Sequence, residues 1–238
     1  MNRSAHDLAT LVDERMDVVF GLLDAWRGTV EEALGAAPRP AAIDELVAGL
    51  VLPRLAEPNA LVSGAGFIAD SDVVSARGVH FAWWLGPLDD NPVLGATTEP
   101  TRLDITTRGY AEYLRDFRSL EWFRAPATTF QAHVTGPYVD HLCTCDYILT
   151  FTSPVSSPTT NALAGVVGAD VAVRRLEQDL LPAFLDADEP VALVNADGRV
   201  VLSTAPALQV GTIADAETRV ACARTPFSVL VRPMARRA

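Results

Sequence analysis

Residues 141–170, HLCTCDYILTFTSPVSSPTTNALAGVVGAD, decide the fold. Segments 141–152 and 162–170 are apolar and rich in β-branched side chains, whereas 153–160 between them is almost entirely Ser, Thr and Pro. That pattern predicts two antiparallel strands joined by a turn. Downstream, Val173, Leu176, Leu180, Leu181 and Phe184 recur at helical spacing over 171–185. The segment Asp186-Ala187-Asp188-Glu189-Pro190 then reads as a linker. Beyond it, 191–194 and 200–203 flank Asn195-Ala196-Asp197-Gly198, whose Asp-Gly step marks a hairpin, and 227–231 is a final strand.

Upstream lie a strand at 132–135, an aromatic-rich helical and loop region at 110–124, and a polar loop at 86–107. Strands are expected at 60–69 and 79–85. Before them, Leu8, Leu11, Val12, Met16, Val19, Leu22, Leu23, Trp26 and Val30 form the apolar stripe of one long helix over 5–35. Gly35 and the Pro38–Pro40 stretch stop it, and 41–56 forms a second helix. The order predicts an α+β protein: a long N-terminal helix, then two antiparallel sheets of unequal size. The implied division is 1–58 helical, 59–171 larger lobe, 172–189 connecting helix and linker, and 190–238 smaller lobe.

Composition removes whole classes of chemistry. All 19 basic residues of the 238 are Arg, so Schiff-base, P-loop and Ser-Lys mechanisms are excluded. The net charge of −11 repels phosphate backbones and anionic lipid heads, so neither nucleic acid nor membrane surface is an expected partner. Three of the Arg crowd the last seven residues, a tail too short to reverse this. Cys143, Cys145 and Cys222 make an odd count that fits reduced thiols. The N-terminus has acids where a leader needs an apolar run, and no stretch reaches the ~20 apolar residues of a membrane span. Both cues predict a cytoplasmic protein.

Catalytic signatures are missing. There is no Gly-x-Ser-x-Gly elbow and no His-Glu-x-x-His motif. His141, Cys143 and Cys145 alternate on one strand face, but parallel side chains do not converge on one ion, so no metal is expected. Gly64-Ala65-Gly66 is followed by strand-like residues, so it reads as close backbone packing, with no cofactor implied. Two carboxylates stand out. Asp140, in Pro137-Tyr138-Val139-Asp140, and Asp170, ending 165–170, each follow an apolar strand segment and could accept from a ligand ammonium. Asp170 could equally cap the helix after it. Tyr110–Phe123 would line a pocket or form a satellite core under a loop. Trp83 and Trp84 point to opposite faces of their strand, one to the core and one to a cavity; Trp84 is taken as the cavity side.

Several segments together resemble the bacterial Cache (PAS-like) sensor superfamily in its double-Cache form. They are the long first helix, Glu121-Trp122-Phe123, the run 136–140, Ile148–Val155, 165–170 leading into a helix, and the hairpin at 192–201. The resemblance covers about residues 8–205. It implies two PAS-like lobes, with an amino acid, amine or carboxylate held in the larger one. By position, Trp122, Phe123, Tyr138, Asp140 and Asp170 would form that site, with Tyr113, Tyr110 and Trp84 as further walls. The family's carboxylate-binding Arg would fall where this chain has Leu120, with Arg118 and Arg124 flanking it instead. The chain lacks the flanking transmembrane helices such domains usually carry, so the resemblance implies a free-standing module serving a separate regulator or transporter. The long helix is the expected homodimer surface. The contrasting readings are a metal-independent hydrolase or lyase using carboxylates with His80 or His133, and a dimeric scaffold that binds nothing.

Overall fold

The computed structural model describes residues 3–70, 73–74, 79–88, 95–103, 114–140, 146–215 and 218–232. Helix α1 (Ala5–Leu34) begins at a capping box: Ser4 Oγ accepts from the Asp7 N–H, and Asp7 Oδ2 accepts from the Ser4 N–H. Helix α2 (Pro40–Leu55) starts on Pro40, whose missing N–H is no loss in a first turn. Strands β1 (Val62–Ala69), β2 (His80–Leu85) and β3 (Thr101–Arg102) follow. After a 3-10 turn at Leu114–Ser119 come α3 (Glu121–Thr129), β4 (His133–Val139), β5 (Tyr147–Ser156) and β6 (Leu163–Ala172). Helix α4 (Val173–Leu185) leads to β7 (Val191–Val194), β8 (Val200–Ser203), β9 (Thr218–Ala221) and β10 (Ser228–Val231).

The strands form two sheets, β3-β2-β1-β6-β5-β4 and β8-β7-β10-β9, antiparallel throughout. This is the expected α+β architecture, a long first helix with two antiparallel sheets. Two details differ. The turn expected over 153–160 is shorter, because β5 runs on through Ser156. Pro154 is tolerated there because it pairs with Val166 of β6 while β4 reaches only as far as Thr152, so its missing N–H faces an unpaired edge. The strand expected at 132–135 continues to Val139 across a register shift between Thr135 and Tyr138.

Helix α1 spans both sheets. Its buried stripe (Leu8, Val12, Met16, Val19, Leu23, Trp26, Val30) shares one core with Leu149, Phe151, Val167 and Ala169 of the large sheet and Leu193, Phe227 and Val229 of the small one. Phe20 meets Phe151 edge-on at 5.3 Å. The stripe that suggested a dimer surface is therefore covered by the chain's own two lobes. A single chain uses its full length.

Polar contacts fix α1 at both ends. Glu31 Oε1 accepts from the Ser156 N–H at 2.8 Å in the large lobe. In the small lobe Asp13, 3% exposed, accepts from the Ala223 N–H at 2.6 Å, the Arg224 N–H at 3.2 Å and the Thr225 hydroxyl at 2.9 Å. Asp13→Ala strands these donors. It should cost about 3 kcal/mol, read as a lower urea midpoint at unchanged slope.

Candidate ligand-binding site

The large sheet's second face looks away from α1. Strand alternation places Phe81, Trp83 and Leu85 of β2, Ile68 of β1 and Val166 of β6 there, packed with Phe117, Trp122 and Phe123 from the 3-10 turn and α3. Phe117 stacks on Trp122 at 6.2 Å and meets Phe123 edge-on at 4.7 Å and Phe81 at 5.4 Å. Near β1 the face becomes small and polar. A Cβ on Gly64 would lie 3.1 Å from Asp170 Oδ2 and 3.2 Å from Trp83 Nε1, and one on Gly168 would lie 3.1 Å from the Trp83 ring. These glycines let the indole and the carboxylate approach the same patch of backbone.

Asp170 stands opposite Gly64 on one side and Thr150 on the other. The Thr150 hydroxyl donates to Asp170 Oδ1 at 2.6 Å. With that proton committed, Tyr138 donates its own to Thr150 Oγ1 at 2.7 Å, so a chain runs Tyr138–Thr150–Asp170. Asp170 does not cap the helix that follows it. Helix α4 has Ala172 at its N-cap without a side-chain bond, and Asp170 turns to Thr150 instead. Asp170 keeps part of its surface open, yet it sits deep in the lobe. Burial pushes its carboxyl from 3.8 up to about 7; the Thr150 bond opposes the rise and the Asp140 charge adds to it. Among the described residues no cation pairs with Asp170. Asp140 is buried just past β4, its N–H donating to the Asp146 carbonyl at 2.9 Å.

Two more hydroxyls on this face, Thr135 and Thr152, are buried and have no hydrogen-bond partner among the described residues. Parallel acceptors, unspent hydroxyls and aromatic walls make a surface suited to a small polar cation.

Of the residues expected from the sequence, Tyr138, Asp140 and Asp170 come together on one patch, beside the Trp122–Phe123 wall. Arg118 stands at the edge, half-exposed, its Nε 2.7 Å from Asp70 and its guanidinium over Phe117 at 5.0 Å. Tyr110, Tyr113, His141, Cys143 and Cys145 lie outside the described residues. Trp84 is a correction. It occupies the α1–α2 face, under the Arg102 guanidinium at 5.6 Å, with Arg102 held by Asp44 at 2.7 Å. Its neighbour Trp83 takes the site face because it shares parity with Phe81 and Leu85. Thr150, Thr135 and Thr152 were not anticipated; only the register of β4, β5 and β6 brings them beside the carboxylates. Among the described residues no three His, Cys, Asp or Glu form a metal-holding group.

No family model matches the sequence, and no curated protein matches it. Solved structures do. The ligand-binding domain of the Pseudomonas aeruginosa amino acid chemoreceptor PctC, in complex with GABA, is 16% identical with a TM-score of 0.57, covering 94% of this chain and 94% of that one. The ligand-binding domain of the Pseudomonas fluorescens chemoreceptor CtaA, in complex with L-valine, is 18% identical with a TM-score of 0.51, covering 87% and 74%. The extracellular domain of mmHK1S-Z3, described as a histidine kinase, is 16% identical with a TM-score of 0.56 over 82% of this chain, which spans 65% of that domain's length. The chain shares the fold of these ligand-binding and extracellular domains.

That fold corrects the cytoplasmic placement. Structures that share it include extracellular domains, so the fold gives no support to a cytoplasmic chain. The odd cysteine count does not weigh against this. Cys222 is buried, and burial, then the nearby Asp13, pushes its thiol up to about 11, so it is an inert apolar filler in either compartment. No described helix is long and apolar enough to cross a membrane.

Proposed function

We propose that this chain is a sensor domain whose larger lobe (59–171) binds a small amine or amino acid, with Asp170 and Asp140 facing the ammonium and Trp83, Trp122 and Tyr138 forming the walls. The observation carrying this is Asp170 itself: a carboxylate deep in a lobe, with no cation beside it among the described residues, next to hydroxyls without partners there. The neighbours in complex with GABA and L-valine support the same ligand class. Leu120 and the Asp70-bound Arg118 leave the ammonium half of the site better furnished than any carboxylate half. The smaller lobe (190–238) completes a double-Cache arrangement, and α1, touching both sheets, carries the signal onward to a separate regulator or transporter. A homodimer would pair through surfaces other than the covered stripe of α1. No residue is assigned a catalytic role.

The test is a thermal-shift screen of amines, amino acids and carboxylates, followed by calorimetry on the hits, since a ligand of the native state raises the midpoint. No stabilising amine or amino acid would remove the proposal. A second outcome follows from protonation. An ammonium needs ionised Asp170, so below its pKa of about 7 each binding event expels a proton. Affinity should therefore climb about tenfold per pH unit towards 7 and level off above it, measured by calorimetry over about pH 5 to 8.

A further inference from the structure

A second cavity, of about 460 Å³, lies where the small lobe meets β4. Glu121 and the β4 segment from Thr135 to Val139 line one side, and the β7–β8 hairpin and Gly211 line the other. The cleft is held open by a fixed bridge. Asn195 Nδ2 donates to the Gly136 carbonyl at 2.7 Å, while Asn195 Oδ1 accepts from the N–H groups of Asp197 at 3.0 Å and Arg199 at 2.8 Å. The hairpin is thus pinned to β4 by one side chain, with the space beside it unfilled.

Two charged side chains beside that space make no ion pair among the described residues. Arg199 NH1 donates to the Gly211 carbonyl at 2.6 Å, which aims the guanidinium, yet Arg199 makes no ion pair among the described residues. The Asp197 side chain makes no hydrogen bond or ion pair there either. Glu121, by contrast, is engaged with His133 at 2.8 Å. A guanidinium oriented by a backbone carbonyl and a carboxylate two residues away on the same hairpin place opposite charges on one wall of the cleft.

We propose that this cleft between the lobes is a second binding site, for a small zwitterion whose carboxylate meets Arg199 and whose ammonium meets Asp197. The site is separate from the one around Asp170. Tyr138 borders both, because it lines the cleft while its hydroxyl feeds the Thr150–Asp170 chain. Occupancy of the cleft therefore bears on the wall of the first site.

The test uses the whole chain carrying Asp170→Asn, so that loss of the first site and loss of the second are read separately. Glycine, acetate and methylammonium are titrated while the ¹⁵N signals of Arg199 Nε and the Gly198 and Gly211 amides are followed. Glycine is expected to shift all three saturably, with acetate weaker by about tenfold for want of the Asp197 contact. Arg199→Gln should abolish both titrations. Because that change also loosens the Gly211 anchor, the exposed Asp197→Asn is the companion variant: it should bring glycine down to the affinity of acetate. Absence of a saturable shift with glycine overturns the site. So does binding that survives Arg199→Gln, or binding of methylammonium alone.

Discussion

Asp170→Asn should raise the dissociation constant of an amine ligand about 100-fold or more, while making the empty protein more stable at alkaline pH. The two effects have one origin. Burial holds the native carboxyl near 7 against an ordinary 3.8, so between those values the folded state keeps a proton that the unfolded chain has lost. Stability therefore falls as pH rises from about 4 and bears the full penalty above 7, an effect of roughly 2–4 kcal/mol. Asparagine cannot ionise and still accepts the Thr150 hydroxyl, so the penalty disappears along with the counter-charge for an ammonium. Melting curves at pH 6 and 8 and calorimetry with the best amine would check both halves. Unchanged affinity would remove Asp170 from the site. A lower melting point at the alkaline pH would mean the charged form is stabilised by a group not facing it here.

Gly66→Ala is the second severe change. A Cβ at this position would overlap the Ala82 carbonyl oxygen and lie 2.7 Å from Trp83 Cα, both backbone atoms of the paired strand. No side chain can swing aside to relieve it. β1 would have to part from β2 at the centre of the large sheet. The expected cost exceeds about 4 kcal/mol, seen as loss of cooperative melting or as insoluble protein. Gly168→Ala is the control, because its Cβ would meet the edge of the Trp83 ring at 3.1 Å and an indole can tilt. It should fold and shift ligand affinity instead. Equal stability of the two variants would contradict the close approach at Gly66.

The residues that were legible in sequence are those whose neighbours along the chain determine them. The stripe of α1 and the paired apolar runs of β5 and β6 carry their own periodicity. Asp140 and Asp170 stood out as carboxylates after apolar strand segments and Tyr138 through the resemblance, and the three lie together because β4, β5 and β6 are adjacent. What stayed hidden depends on partners remote in sequence. Trp83 and Trp84 are chemically alike, and only pairing with β1 decides which faces the carboxylates. Thr150 looks like any strand threonine until register sets it between Tyr138 and Asp170. Strand β9 is mostly exposed and lacks an apolar alternation that would announce it. The cytoplasmic expectation rested on composition and leader cues, and it was overturned by the shape of the fold, which extracellular domains share.

Helix α1 contributes side chains to both cores, with Glu31 fastened to one sheet and Asp13 to the other. The two lobes are therefore thermodynamically in series. Neither can melt without stripping α1 from its partner, so free energy gained when a ligand fills the large lobe is shared as added resistance to opening in the small one. A single rigid rod thus makes two separate sheets one cooperative unit, and the amplitude of any message between them is bounded by how far that rod can shift before either of its carboxylate anchors lets go.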